Sequence, residues 1–152
     1  MYELPKVRIC MVKETSIVSD CKISNSIEAG QLIKEELQYS DREVFGVVNL
    51  NSKGNPINWN TVSIGTLNGS LVEPREVFKS SILSNAAAVL AFHCHPSGDA
   101  TPSQDDMEAT RSIKDAGDVL GMPLVDHIIV GCGSGDTYSL RENTDLWDYS
   151  TM

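Results

Sequence analysis

Residues 86–106 read AAAVLAFHCHPSGDATPSQDD, and no other stretch limits the fold as strongly. An apolar run of strand length enters two histidines one residue apart, then a turn-rich loop, then a serine three residues ahead of an aspartate. Side chains alternate across a strand, so His93 and His95 point to one face with Cα atoms about 6.6 Å apart. Cys94 points to the other face, into a core. Pro96, Ser97 and Gly98 turn the chain, Pro102 closes the loop, and Ser103 caps a helix. Asp106, in the first turn of that helix, swings back toward the histidines. The segment must therefore fold as a buried strand, a bend, and a helix that starts beside the strand's end.

Two imidazoles at that separation converge on one ion, because Zn–N bonds are about 2.0–2.1 Å. Three protein ligands with one open position make the arrangement of a catalytic zinc site. The plainer alternative is that S-x-x-D is only a capping box and the histidines are structural. The full pattern H-x-H-x7-S-x2-D occurs by chance with a probability on the order of 10⁻⁴. That rarity favours His93, His95 and Asp106 as metal ligands. Ligand type alone does not choose the metal, and a two-histidine-one-carboxylate iron site uses the same donors. Other chemistries fail on counting. The chain has three histidines, too few for a dinuclear hydrolase with four histidine ligands. The H-x-E and P-C-x-x-C of zinc nucleobase deaminases are absent, as is H-E-x-x-H.

Around this segment the chain reads as one domain with no repeat and no linker. A strand is expected over 6–14, within an N-terminal extension of residues 1–25. A helix follows over 25–39, where Asn25 and Glu28 have capping-box spacing and Ala29, Ile33 and Leu37 share a face. Residues 43–51, EVFGVVNLN, are almost continuously apolar, as in a strand covered on both faces. NSKGN turns the chain into a returning strand over 56–67. Pro74 opens a helix over 74–85. A helix from Ser103 carries Ala109, Ile113, Ala116 and Leu120 at helical spacing. PLVDHIIVG and TYSL supply two last strands, and residues 143–152 form a tail whose aromatics pack back on the body. The expected fold class is α/β, a mixed sheet flanked by helices in a single domain.

The formal charge of −9 opposes phosphate backbones, because affinity for DNA comes largely from lysines and arginines displacing counterions. Binding to duplex DNA at physiological salt is therefore expected to be no tighter than about 10⁻⁴–10⁻⁶ M, the range of non-specific contacts. A fluorescence titration returning nanomolar affinity for any DNA structure would overturn this. No apolar stretch has the length of a signal peptide or a membrane span. Cysteines at 10, 21, 94 and 132 form no C-x-x-C pair and read as reduced thiols, so a cytoplasmic location is expected.

H-x-H-P…S-x-x-D resembles the JAMM signature of MPN-fold zinc metalloproteases. The longer run HCHPSGDATPS, with GTLNGSLVEPRE (65–76) before it and DHIIVG (126–131) after it, resembles the bacterial RadC family. The likeness implies a RadC-like JAMM/MPN domain over 26–142, with Zn²⁺ on His93, His95 and Asp106. It further implies that Ser103 helps to stabilise a tetrahedral intermediate, and that a glutamate on the first core strand holds the catalytic water. Glu43, in E-x-x-G, fits that place. Glu76 is its rival, but lies in a first helical turn, where acids serve the helix dipole. The implied activity is zinc-dependent hydrolysis of a peptide or isopeptide bond, with a protein or peptide substrate.

The alternative is a non-enzymatic zinc-containing module with a binding role in DNA repair or on mobile elements. Full-length family members carry a helical N-terminal region, whereas residues 1–25 here read as a strand, which weighs against DNA binding. The family usually has asparagine where this chain has Cys94. A homodimer is left open. GTLNGS reads as a substrate-facing loop. Asp126 and His127 sit in an apolar strand, where a histidine is more often a satisfied core residue than a ligand.

Overall fold

Residues 1–19, 23–65 and 72–148 are described by a computed structural model. The elements run α1 (Ser26–Leu37), β1 (Glu43–Leu50), β2 (Pro56–Gly65), α2 (Pro74–Val77), α3 (Lys79–Leu83), β3 (Ala88–His95), α4 (Gln104–Leu120), β4 (Leu124–Gly131), β5 (Thr137–Ser139) and α5 (Leu140–Asn143). The five strands form one sheet in the order β2-β1-β3-β4-β5. Only the β3–β4 pair is parallel, joined across α4. The other three pairs are antiparallel. A continuous apolar run puts β1 and β3 at the centre, where both faces are covered.

Alternation along the strands divides the core in two. Phe45, Val47, Val89, Ala91 and Ile129 face Val77, Phe78, Ile113 and Leu140 of α2 to α5. Val48, Leu90, Phe92, Cys94 and Ile128 face Ala29, Ile33 and Leu37 of α1. Helix α1 is capped by Asn25, whose side chain accepts from Glu28 N at 2.9 Å. Glu28 in turn accepts from Ser24 N, one residue ahead of the cap. Gly46 lies opposite Phe92 in the β1–β3 register, and Trp59 stacks on the Phe92 ring at 3.9 Å. A Cβ on Gly46 would stand 2.3 Å from that ring, so the glycine of E-x-x-G makes room for it.

Two expectations change, and β4 adds a feature the sequence did not announce. The strand over 6–14 does not form; residues 1–19 carry no helix or strand. Val7, Ile9 and Val12 remain exposed, so pairing there would fix backbone without burying a face. The helix over 74–85 is divided at Phe78, whose ψ of −1° tightens the turn while its ring enters the core. In β4, Val89 pairs with Leu124 but Leu90 pairs with Asp126, so Val125 is one residue extra. That bulge changes the phase of the strand and sends His127 to the face of β3 that carries His93. In the tail, Trp147 packs back and its Nε1 donates to Leu124 O at 2.9 Å. Most of GTLNGS, residues 66–70, lies outside the described residues, as do Cys21 and Tyr149.

Candidate metal centre

His93 and His95 leave β3 on the α4 side of the sheet, and Cys94 is wholly buried on the α1 side, where its thiol donates to Arg42 O. Phe45 pairs with His93 across the β1–β3 ladder, and Glu43 stands on the same face two residues back. Strand register alone thus brings Glu43 to the histidines. Donor atoms of Glu43, His93 and His95 all lie within 4.8 Å of one another. Glu43 Oε1 is 3.9 Å from His93 Nε2. Asp106 closes the group from the helix side, with Oδ2 3.0 Å from His95 Nε2 and Oδ1 3.6 Å from His93 Nδ1.

Helix α4 holds that carboxylate in place. Ser103 Oγ accepts from Asp106 N at 3.1 Å, and Asp106 Oδ2 accepts from Ser103 N at 2.8 Å. This reciprocal pair is a capping box, so Ser103 is the cap the spacing called for. The loop before it is fixed by Gly98, at φ +88°, whose carbonyl packs against Gly131; any Cβ there would collide with Gly98 O. Asp99 O accepts from His95 Nδ1 at 2.7 Å. That contact places the ring proton on Nδ1 and directs Nε2 to the cluster, as outer partners do for metal-binding histidines.

The electrostatics suit a cation. Burial lowers His93 to about 4, against the opposing pull of Asp106, so it is neutral and able to ligate at pH 7. His95 is raised, chiefly by its hydrogen bond to Asp106. Burial raises the Asp106 carboxyl, but the His95 hydrogen bond, the neighbouring imidazoles and the Ser103 backbone N–H outweigh it, leaving the group well below the usual carboxylate range. Burial raises Glu43 and Asp106 adds to it, while His95 opposes. His93 Nδ1 is buried with no hydrogen-bond partner. Two nitrogens, one of them orphaned, with two carboxylates form a donor set for zinc or a similar divalent ion.

Glu76 is elsewhere. It is exposed and pairs with Lys79 at 2.7 Å. Asp126 is a clamp, accepting from Ser139 Oγ, His127 N and Arg141 N and so tying β4 to β5 and α5. His127 lies beside the centre, 5.8 Å from the His93 ring. The mutually close donors are Glu43, His93 and His95; the expected ligand Asp106 stands outside that trio, as His127 does, but touches both of its histidines. Thr110 joins it to α4, a partner the sequence could have offered, being four residues after Asp106 on the same helix face.

Burial lowers His127 to about 3 and also depresses His93. Both are neutral in the fold, whereas the unfolded chain takes up their protons below about pH 6.5. Their contribution to stability is therefore full above pH 6.5 and is lost as pH falls toward the folded values. His95 works the other way, and offsets part of the loss. Chelator-treated protein is expected to lose about 2–4 kcal/mol between pH 6.5 and 5 by urea titration. A flat profile would mean the two rings are protonated in the fold.

The centre opens on a pocket of about 310 Å³ that reaches from Glu43 and His93 along α4. A family profile described as a RadC-like JAB domain matches residues 23–145. The chain is 44% identical over 109 residues to a UPF0758 protein of Desulfitobacterium hafniense, covering 72% of this chain and 48% of the relative. It is 47% identical over 124 residues to a UPF0758 protein of Moorella thermoacetica, covering 82% and 53%. A third, from Caldanaerobacter subterraneus, is 48% identical over 111 residues, covering 73% and 47%. The chain spans about half the length of these curated relatives. No helix among the described residues is long and apolar enough to cross a membrane.

Proposed function

The chain belongs to the family of RadC-like JAB domains, and from that premise we propose that it is a zinc-dependent hydrolase of the JAMM type acting on a peptide or isopeptide bond. The observation that carries the reading is the meeting of Glu43 with His93 and His95, with Glu43 and His93 at the wall of a pocket. A structural zinc site closes itself with four protein ligands and has no use for a nearby proton acceptor.

His93, His95 and Asp106 would hold the ion, which supplies Lewis acidity and makes water a nucleophile near neutral pH. Glu43 then takes the proton of the attacking water. Its position on the edge of the cluster, and a carboxyl raised by burial, suit it both to accept that proton and to return it to the leaving amine. Ser103 Oγ accepts from Asp106 N and keeps its own hydroxyl proton for the developing oxyanion. The test is a screen of peptide and isopeptide substrates with zinc-loaded protein, with chelated protein as the control. Turnover that disappears on chelation and returns with zinc supports the reading. Turnover indifferent to chelation overturns it.

Ser103→Ala separates the serine's two tasks. Loss of the cap is expected to cost about 1 kcal/mol in denaturant unfolding. Contact with the oxyanion would lower kcat by a further 10²–10³-fold, roughly. A variant that is less stable but turns over normally leaves the serine with the capping task alone.

A further inference from the structure

The pocket beside the centre has more acidic groups than hydrolysis requires. Glu43, Glu73, Asp105, Asp106 and Glu108 line it, and no lysine or arginine does so among the described residues. Glu43 and Asp106 belong to the centre. Glu73, Asp105 and Glu108 do not, and no ion pair found among the described residues takes up any of the three. Carboxylates alone would be no more than the acidic first turns that helices favour.

His127 adds an independent observation. Its ring is 1% exposed and contributes to the pocket wall. Thr110 has one hydroxyl proton, which goes to the Asp106 carbonyl at 2.6 Å. The Thr110 oxygen must then accept at its 2.6 Å contact with His127, so the ring proton sits on Nδ1. Nε2 is left as a bare lone pair, buried and without a partner. Only a donor can satisfy it. The Ser112 hydroxyl can serve in either sense, and the charged side chains outside the centre, Glu73, Asp105 and Glu108, only accept. An anion would be repelled here, and a carbonyl would find no charged donor. Phe45, Val72 and Ala109 add apolar wall, against which an aliphatic stem can lie while its charged end meets the carboxylates.

We propose that this pocket is a subsite for a lysine or arginine side chain of the peptide on which the centre acts. The inference deepens the hydrolase reading and rests on it for the nature of the ligand, a peptide. The charge preference rests on the pocket alone. Glu73 and Glu108 supply the attraction, and His127 Nε2 accepts from the donor-rich end of the ligand.

The test uses the full chain, mixed with zinc, and three probes: the Nα-acetyl methylamides of lysine, norleucine and glutamate. Binding is followed by NMR of ¹⁵N-histidine and ¹³C-methyl-alanine samples. The lysine compound is expected to shift His127 Nε2 and the Ala109 methyl, and to bind about tenfold more tightly than the other two. In Glu73→Gln/Glu108→Gln, zinc content should be unchanged and lysine binding weaker by about tenfold. Equal binding of norleucine, or unaltered affinity in the double variant, overturns the proposal. Selective lysine binding by a chain that takes up no zinc supports the subsite and removes the hydrolase reading. Zinc uptake with no preference for lysine does the reverse.

Discussion

The double variant His93→Ala/His95→Ala is expected to retain less than about a tenth of an ion per chain by elemental analysis, against about one in the unaltered protein. Removing both imidazoles leaves only the carboxylates of Glu43 and Asp106, whereas zinc sites of this kind draw most of their affinity from nitrogen donors. Either single variant should already prevent stoichiometric binding. His93 is nearly buried and its loss opens a gap in the core, so a zinc deficit could be mistaken for unfolding. His95→Gln guards against that, since His95 stands at the strand's end and its replacement preserves much of the volume. Full zinc in the folded double variant would put the ion somewhere else and end the metal-centre reading.

Glu43→Gln is expected to keep its zinc and lose about 10²–10⁴-fold in turnover, the usual worth of general acid–base catalysis. Glutamine preserves shape and can still accept a hydrogen bond, but it cannot carry a proton at neutral pH. Burial already raises the Glu43 carboxyl, so removing its charge should leave stability equal or slightly higher. On the proposed reading, the rate of the unaltered protein should fall as pH drops through the raised Glu43 value, because a protonated carboxyl cannot act as the base. The variant should lack that acidic limb. Glu76→Gln should be indistinguishable from the parent, since its carboxylate is engaged by Lys79 at the surface. Zinc lost along with activity in Glu43→Gln would recast Glu43 as a ligand, a role its place among the close donors also permits.

Much of the site was legible because its determinants are local. Strand alternation sorts His93 and His95 from Cys94, and S-x-x-D announces the cap that carries Asp106. The apolar run beginning at Glu43 marks a central strand, though its pairing with β3, which brings that carboxylate to His93, is a property of the sheet. What escaped reading depends on distant partners. The 6–14 segment has the alternation of a strand but finds no face to bury, and alternation alone cannot reveal that. The division at Phe78 follows from where its ring must go. His127 reads as a core residue from its place in an apolar strand, and it is buried. One extra residue at Val125 turns it to the centre, and a bulge of that kind leaves no compositional mark. Glu73, Asp105 and Glu108 come together only when α2 and α4 pack on the same face.

The capping box at α4 bears on which ions the centre can admit. Asp106 is held through Oδ2 by the backbone of its own helix cap, so its position is settled when the helix forms. A ligand fixed in advance loses little freedom on coordination, which favours affinity. It is also unable to retreat. Calcium needs six to eight oxygens, roughly, and a shell that can widen. A carboxylate locked to a helix end beside two imidazoles offers neither. The centre should therefore select by ionic radius as well as by donor chemistry, admitting small divalent ions and refusing large ones.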